Sequence, residues 1–315
     1  MKVFAETGDP SIASVYMAEF GNGQIVEFVE ALQPPFQRSE KWILMVSTLF
    51  GCPIKCLICD AGGQFHGKPT KDQILEQIDY LVLKWFPDGI VPAEKFKIQF
   101  ARMGEPSLNP AVLDVLEILP NRYTAPGLIP SLSTIAPHGT DPFFERLIDI
   151  KDTFYPKGRF QFQFSIHTTN EEQRDEFIPV RKWNFSKMEE YGNRFLKSGD
   201  RKITLNFAWA KGMALDVNVL LRYFDPEKYL IKITPVNPTC QAVKNGYISQ
   251  IDPSNPIERS EILDQLNASR YEVIISVGEV EENKIGSNCG QYVLKYLESQ
   301  KEIINGYSYP IQTVK

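Results

Sequence analysis

The chain has 315 residues, of which 43% are hydrophobic and 23% are charged, and its formal net charge is −5. This length supports one large core, and no apolar run is long enough to span a membrane. The start of the chain lacks the basic and apolar segments of a secretory signal, and the cysteine usage is that of a reducing compartment, so we expect a cytoplasmic protein. The net negative charge argues against a DNA partner and makes a large RNA partner less expected.

Residues 1–40 are predicted to form a small β-rich extension, followed by a main domain at 41–315. Two strand-like stretches flank Gly21-Asn22-Gly23, and Asn-Gly is a strong signal for a β-hairpin. Pro34-Pro35 then interrupts the chain before the first strand of the main domain.

From Trp42 onward, strand-like and helix-like segments alternate about six times. Repeated strand–helix units predict an α/β fold with a parallel sheet, here an open barrel of the (β/α)6 type. In such folds the chemistry lies where the strands end. The predicted strands are 42–46, 95–102, 127–137, 159–169, 202–210 and 229–238, and a last unit covers 257–283.

Three of the five cysteines lie in one short loop after the first of these strands, as Cys52, Cys56 and Cys59 with C-x3-C-x2-C spacing. Three thiolates can bind three irons of a [4Fe–4S] cluster, which leaves the fourth iron open to the amino and carboxylate groups of S-adenosylmethionine (SAM). Cys240 and Cys289 supply no second C-x2-C pair, so a structural zinc site is disfavoured. The loop resembles that of the radical SAM enzymes, although Ile58 stands where most of them have an aromatic residue.

Motifs at the predicted strand ends resemble one branch of these enzymes, the RlmN/Cfr family, which methylates ring carbons of an adenosine in the large ribosomal RNA. The matches cover roughly residues 15–295 and occur in order: GQIVEFV, VSTLFGCPIKCLIC, MGEPSLN, LSTIAP, FSIHTTNEEQRDEFIPV, ITPVNP and NCGQ. The resemblance implies a methyltransferase built on a partial (β/α)6 radical SAM barrel.

The resemblance also implies that successive strand ends supply the SAM site. Gly104 and Glu105 would hold the amino group of the methionine moiety, since a carboxylate pairs with an ammonium. The remaining implied contacts are Ser133, Ser165 and His167 at the ribose and carboxylate, and Asn237 from the last strand. Taken singly, these residues also have structural explanations, such as helix caps for the two serines, and only the ordered set indicates the function.

Two further positions match catalytic residues of the family. Cys289 would be the cysteine that first accepts a methyl group and then attacks the substrate through its methylene radical, and Glu27 would be the general base. The family has a second essential cysteine seven residues before the first cluster cysteine, where this chain has Met45. A thioether cannot form the resolving disulfide, so Cys240, Glu27 with an external thiol, or spontaneous collapse of the adduct remain open as the release route.

The substrate stays open between a small molecule, a nucleotide and RNA. The family carries an RNA-engaging domain ahead of the hairpin, whereas about a dozen residues precede it here, so we expect a substrate smaller than ribosomal RNA. If the substrate is RNA, Arg174, Arg181 and Lys182 are candidates for phosphate contacts.

The resemblance implies a flavodoxin- or ferredoxin-type electron donor. A non-methylating radical SAM oxidoreductase or mutase is the alternative function, and a regulatory cluster protein is a third.

Overall fold

The computed structural model describes residues 1–252, 261–278, 280–288, 292–299 and 309–314. The chain divides into two compact units. Unit 1 comprises Met1–Lys55, Cys59–Leu132 and Gly278–Lys315, and unit 2 comprises Cys56–Ile58 and Ser133–Val277. Across the described ranges, every helix is too short or too polar to cross a membrane.

Unit 1 begins with antiparallel strands. β1 (Lys2–Asp9), β2 (Ala13–Phe20) and β3 (Gln24–Ala31) pair in sequence order. A 3-10 turn at Gly21–Gly23 joins β2 to β3, which confirms the predicted hairpin. β1 was not predicted from the sequence. The short strand β11 (Gln312–Thr313) pairs with its outer edge.

The remaining strands of unit 1 are parallel. β4 (Lys41–Val46) pairs antiparallel with β3 and parallel with β5 (Lys95–Phe100), which pairs parallel with β6 (Leu128–Thr134). Helix α1 (Lys71–Trp85) connects β4 to β5, and α2 (Ala111–Arg122) connects β5 to β6. These connections are the strand–helix–strand units that the alternating sequence pattern predicted.

The C-terminal part of the chain returns to unit 1. Helices α9 (Val280–Ile285) and α10 (Tyr292–Glu298) supply side chains to the core of the antiparallel strands. Burial of apolar surface stabilises this packing by about 25 cal/mol per Å². The buried residues of this core include Ala5, Val15, Met17, Val29, Met103, Ile285, Tyr292 and Val293.

Unit 2 contains four parallel strands that are neighbours in chain order: β7 (Gln161–Ser165), β8 (Ile203–Ala208), β9 (Tyr229–Thr234) and β10 (Glu272–Ile275). The carboxyl ends of these strands lie at one edge of the sheet. The helices of this part of the chain are α3 (Asp141–Phe154), α4 (Glu171–Phe177), α5 (Phe185–Phe195), α6 (Val217–Tyr223), α7 (Cys240–Lys244) and α8 (Glu261–Ala268).

Several predicted strands extend past their observed carboxyl ends. The strand predicted at 159–169 ends at Ser165, because His167 has a φ of +68°, which no strand accommodates. The predicted division at residue 40 has no counterpart in the compact units, which keep β1 to β6 largely together. The assignment of 1–40 and 41–315 as separate domains therefore stays a prediction.

Candidate active site

The loop after β4 places Cys52 on a fixed backbone. Gly51 precedes it with a φ of +74°, and a Cβ at this position would lie 2.2 Å from the carbonyl oxygen of Gln64. Cys52 donates its N–H to the carbonyl of Gly63 at 3.3 Å and accepts from the Gly63 N–H at 2.8 Å. Only glycine fits at position 51, and the chain closes tightly around the first cysteine of the motif.

The sulfur of Cys52 is buried and surrounded by backbone donors. Burial raises the pKa of its thiol to about 11, and the charge of Glu105 adds to this rise. Hydrogen bonds from the backbone N–H groups of Ile54, Glu105 and Lys55 oppose it. N–H groups directed at a desolvated sulfur are typical of a thiolate that ligates a metal cluster. The donor set at Cys52 therefore fits an iron–sulfur ligand.

Cys56 and Cys59 are both half-buried, and they fall in different compact units. Cys56 belongs to the short segment that joins unit 2, where Thr239 Oγ1 donates to the carbonyl of Ile58 at 2.8 Å. Cys52, Cys56 and Cys59 carry thiols and form no disulfides. Within the described part of the chain, no three His, Cys, Asp or Glu side chains are arranged to hold a metal ion. The cluster ligands therefore remain a prediction.

Gly104 and Glu105 follow β5 and lie beside the cysteine loop in unit 1. Gly104 has a φ of +100°, and a Cβ there would lie 2.5 Å from the Leu49 side chain. Glu105 is 6% exposed, and its Oε1 accepts from the N–H of Ser107 at 3.1 Å and from its hydroxyl at 2.7 Å. The backbone N–H of Glu105 donates to the sulfur of Cys52, so Glu105 lies next to the first cysteine of the motif.

His167 is held where the strands of unit 2 end. The N–H groups of Ile166 and His167 donate to the carbonyl of Asn206 at 2.9 and 3.2 Å. The Nδ1 of His167 accepts from the N–H of Ala208 at 3.0 Å. A left-handed backbone at a non-glycine residue is strained, and such strain is concentrated at functional sites.

The imidazole of His167 is neutral at physiological pH. Burial, followed by the positive charge of Arg174, lowers the pKa of His167 to about 3. The ring packs against Phe177 with 5.2 Å between ring centroids. Because Nδ1 accepts a hydrogen bond, the ring proton is on Nε2, where it can be donated to a ligand oxygen.

Ser133, Ser165 and Asn237 are half-buried at or just after strand ends. Ser165 is the last residue of β7, Ser133 is the penultimate residue of β6, and Asn237 lies three residues after β9. The alternative explanation of the serines as helix caps is wrong, because Thr140 and Asn170 are the N-cap residues of α3 and α4.

Asn206 is a candidate site residue that the sequence reasoning did not include. It is 8% exposed, in β8, and its side-chain oxygen has no hydrogen-bond partner among the described residues. It pairs in register with Ser165 on one side and Lys232 on the other, so the three side chains share a face of the sheet. An asparagine inside the mostly apolar run ITLNFA was the available signal.

Glu27 lies in β3 and is fully buried. Its carboxylate forms an ion pair with Arg102 at 2.5 Å and accepts from the N–H groups of Tyr292 at 2.7 Å and Val293 at 3.1 Å. Burial raises its pKa, whereas Arg102 and these two N–H groups lower it. Glu27 is therefore a buried residue that contacts Arg102 and the start of α10, and it is not a solvated hairpin residue. Its role as a general base stays a prediction.

Cys289 lies outside the described residues, and the segments on either side of it are described. Met45, at the position of the family's second cysteine, packs against the unit 1 core that contains Met103, Tyr292 and Val293. Cys240 is exposed at the first residue of α7.

The structure overturns two of the three predicted phosphate contacts. Arg174 is 2% exposed and donates to the carbonyls of Trp183 at 2.7 Å and Ile135 at 3.2 Å. The side chain of Lys182 is 1% exposed and pairs with Asp175 at 2.5 Å. Arg174 thus lies in the interior and the ammonium of Lys182 is paired with Asp175, whereas Arg181 alone of the three is exposed.

Comparisons with known proteins extend these observations. No family model matches the sequence. Two curated relatives from Desulfitobacterium hafniense, strains DSM 10664 / DCB-2 and Y51, are each named probable dual-specificity RNA methyltransferase RlmN and are 28% identical over 205 residues. The match covers 63% of this chain and 54% of each relative, so the chain spans about half the length of these relatives.

A solved structure has the same fold. It is a radical SAM methyltransferase from Sphaerobacter thermophilus, with a TM-score of 0.68 and 18% identity over 92% of this chain and 81% of that one. The predicted fold class, an α/β fold of the partial radical SAM barrel type, is confirmed by this likeness. The predicted resemblance to RlmN is confirmed by the sequence relatives. The chain is thus similar in sequence to two relatives named RlmN and similar in fold to a solved radical SAM methyltransferase.

Proposed function

We propose that the chain is a radical SAM enzyme that methylates an unactivated carbon of its substrate. The observation that carries this proposal is the surrounding of Cys52, a desolvated sulfur with three backbone donors beside the Glu105 carboxylate. The RlmN relatives and the methyltransferase fold support methylation at this level of detail. The cluster, the residues of the site and the substrate are the finer parts of the proposal.

Cys52, Cys56 and Cys59 would hold a [4Fe–4S] cluster. A reduced cluster with bound SAM supplies a 5′-deoxyadenosyl radical, and the protein supplies binding and orientation. Burial of Cys52 keeps water from the sulfur, and its backbone donors offset the charge of the thiolate. Cys56 and Cys59 are each half-buried, so both thiols would remain accessible for binding iron.

Glu105 would bind the ammonium group of SAM. Ser107 fixes the orientation of the carboxylate through two hydrogen bonds, so a cation meets a preoriented charge. The absent side chain at Gly104 lets the backbone approach Leu49 closely. A charge-assisted contact of this kind recognises the amino group and leaves the transferred methyl group untouched.

His167 would donate from Nε2 to an oxygen of the cofactor. Its neutral state follows from burial and from the nearby Arg174, so this donor persists across physiological pH. Ser133, Ser165 and Asn237 would add hydroxyl and amide groups at the ribose and carboxylate of SAM. The unsatisfied side-chain oxygen of Asn206 would accept from a cofactor hydroxyl on the same face as Ser165.

Cys289 would carry the methyl group, as in the RlmN/Cfr family that the chain resembles. Met45 cannot open the resulting adduct by disulfide formation. Release would then require Cys240, a base with an external thiol, or an adduct that collapses by itself.

The substrate is a small molecule, a nucleotide or RNA. The RlmN relatives favour RNA by name, while the burial of Arg174 and Lys182 removes two expected phosphate contacts.

The test is anaerobic reconstitution followed by iron analysis and product analysis. We expect about four irons per chain in the wild type, loss of the cluster in Cys52→Ala, Cys56→Ala and Cys59→Ala, and retention in Cys240→Ala as the matched control. Reduction in the presence of SAM should yield 5′-deoxyadenosine and S-adenosylhomocysteine. A colourless zinc protein would refute the cluster. 5′-Deoxyadenosine without S-adenosylhomocysteine would favour the non-methylating alternative.

A further inference from the structure

The middle cysteine of the motif lies in a three-residue segment, Cys56–Ile58, that belongs to unit 2. This segment is held differently from Cys52, whose N–H and carbonyl both pair with the backbone of Gly63. In Cys56–Ile58, two backbone carbonyls accept hydrogen bonds from side chains. The conformation of the segment therefore depends on which residue types stand beside it.

The two side-chain donors come from the two ends of one short helix, α7. Thr239, which is 3% exposed, donates from Oγ1 to the carbonyl of Ile58 at 2.8 Å. Asn245, the C-cap residue of α7, donates from Nδ2 to the carbonyl of Leu57 at 2.8 Å. The hydroxyl of Thr239 also accepts from the N–H of Ala242 at 3.0 Å and so caps the helix. Both ends of α7 therefore contact the segment.

Two further contacts tie the segment to unit 2. The N–H of Leu57 donates at 3.1 Å to the carbonyl of Phe177, the last residue of α4, and satisfies a carbonyl that a helix end leaves open. The side chain of Ile58 packs against a small apolar core. The buried residues of that core, which lie at or after the ends of β8 and β9, are Ala208, Ala210, Val236 and Ala242.

Thr239 also joins the segment to a predicted cofactor contact. Its N–H donates to the carbonyl of Asn237 at 2.8 Å, while its hydroxyl donates to Ile58. Asn237 is a predicted SAM contact, and Cys56 is a predicted iron ligand. A single hydroxyl can donate one hydrogen bond and accept another, which is what this position requires. Thr239 thus contacts the backbone beside both predicted groups.

We propose that Thr239 and Asn245 are positioning residues that hold Cys56–Ile58 in the conformation in which Cys56 binds iron. This inference rests on the proposed cluster function and deepens it, because it assigns a part in cluster binding to residues outside the cysteine motif. Thr239→Ser would keep the hydroxyl and its hydrogen bonds, whereas Thr239→Val would keep the shape and lose them. Asn245→Ala would remove the contact with Leu57 and leave the cap at Thr239 intact.

The first arm of the test measures the backbone by hydrogen exchange on the full-length reconstituted protein. Exchange at 56–58 should accelerate about fivefold in Thr239→Val, as for the loss of one hydrogen bond, and about twofold in the more exposed Asn245→Ala. Thr239→Ser should match wild type. The control is Thr140→Val, which removes a buried hydroxyl bonded to the carbonyl of Pro137 elsewhere in unit 2. Unchanged exchange at 56–58 in both test variants would overturn the proposal, and unchanged exchange in one would remove that residue from it.

The second arm separates positioning from a general loss of stability. Release of iron to a chelator is followed anaerobically, together with the urea midpoint of each variant. Iron should leave Thr239→Val about fivefold faster than wild type, by the same count of one lost hydrogen bond, and Thr239→Ser should restore the wild-type rate. Thr140→Val should release iron at the wild-type rate even if its urea midpoint falls. Equal release from Thr239→Val and wild type would reduce the contact to a structural role and overturn the inference.

A second variant keeps the test decisive if Thr239→Val does not fold. Asn245→Ala changes an exposed side chain, and its matched control is Asn193→Ala, which removes an exposed contact with Lys228. We expect faster iron release from Asn245→Ala alone. Wild-type protein without iron would overturn the proposed cluster and this inference with it, whereas a stable cluster in every variant would overturn this inference alone.

Discussion

Replacing Arg102 by methionine should lower the free energy of unfolding by a large amount, and this amount should depend on pH. The substitution removes the charge partner of the fully buried Glu27 and three donors to the carbonyls of residues 286–288. Removing one partner of a buried pair costs about 3–5 kcal/mol. Burial already raises the pKa of Glu27 above its ordinary value of 4.5, and loss of Arg102 raises it further.

The sign of the pH dependence follows from that rise. A carboxyl whose pKa is higher in the folded state stabilises the fold at low pH, and this contribution is lost as the pH rises through the folded-state value. The loss of stability in Arg102→Met should therefore be larger at about pH 8 than at about pH 5, because a lower pH favours the protonated, uncharged form of Glu27. Urea unfolding of wild type and variant at both pH values measures this difference.

The control for this experiment is Arg194→Met. Its pair with Glu145 is half-exposed, with side-chain exposures of 48% and 54%, so we expect a loss of less than about 1 kcal/mol. An equal loss of stability at both pH values in Arg102→Met would refute the claim that an uncompensated Glu27 charge causes it. A loss below about 1 kcal/mol would show that the pair is not desolvated as the structure has it.

Three further substitutions test individual parts of the site. Glu105→Gln should weaken SAM binding by about tenfold in equilibrium dialysis while iron content stays constant, and unchanged affinity would mean that the ammonium binds elsewhere. Gly104→Ala should lower the unfolding free energy by more than about 1 kcal/mol, because its φ of +100° and the 2.5 Å approach to Leu49 both exclude a methyl group; a stable variant would show that the loop adapts. Asn206→Leu should leave the urea midpoint unchanged or raise it, since it removes an unsatisfied buried oxygen, and should weaken SAM binding; a clear loss of stability would reveal a partner for that oxygen.

The regular part of the fold was accessible from the sequence because local patterns determine it. Asn-Gly between two strand-like runs predicted the hairpin at Gly21–Gly23, and apolar alternation predicted strands such as Gln161–Ser165. The C-terminal limits of the strands were less accessible. At His167 the chain leaves the sheet with a φ of +68°, and that conformation depends on contacts with Asn206 and Ala208 in the next strand.

The interior ion pair could not be predicted from the sequence because it joins distant residues. Glu27 contacts Arg102, 75 positions away, and the N–H of Tyr292, which is 265 positions away. The sequence also indicated Arg174 and Lys182 as candidate phosphate contacts, and the structure contradicts both. A sequence shows which residues are charged, but it does not show which buried groups they contact. The carbonyl of Ile135, which accepts a hydrogen bond from Arg174, is an example.

The measurement that tests the central claim most directly is transfer of label from methyl-labelled SAM. Reconstituted, reduced protein is incubated with the labelled cofactor, and label is followed on each cysteine peptide and on candidate substrates. We predict label on Cys289, together with 5′-deoxyadenosine and S-adenosylhomocysteine, and none of these in Cys52→Ala protein, which lacks the cluster. Formation of 5′-deoxyadenosine with no label on any protein residue or substrate would contradict a methyltransferase.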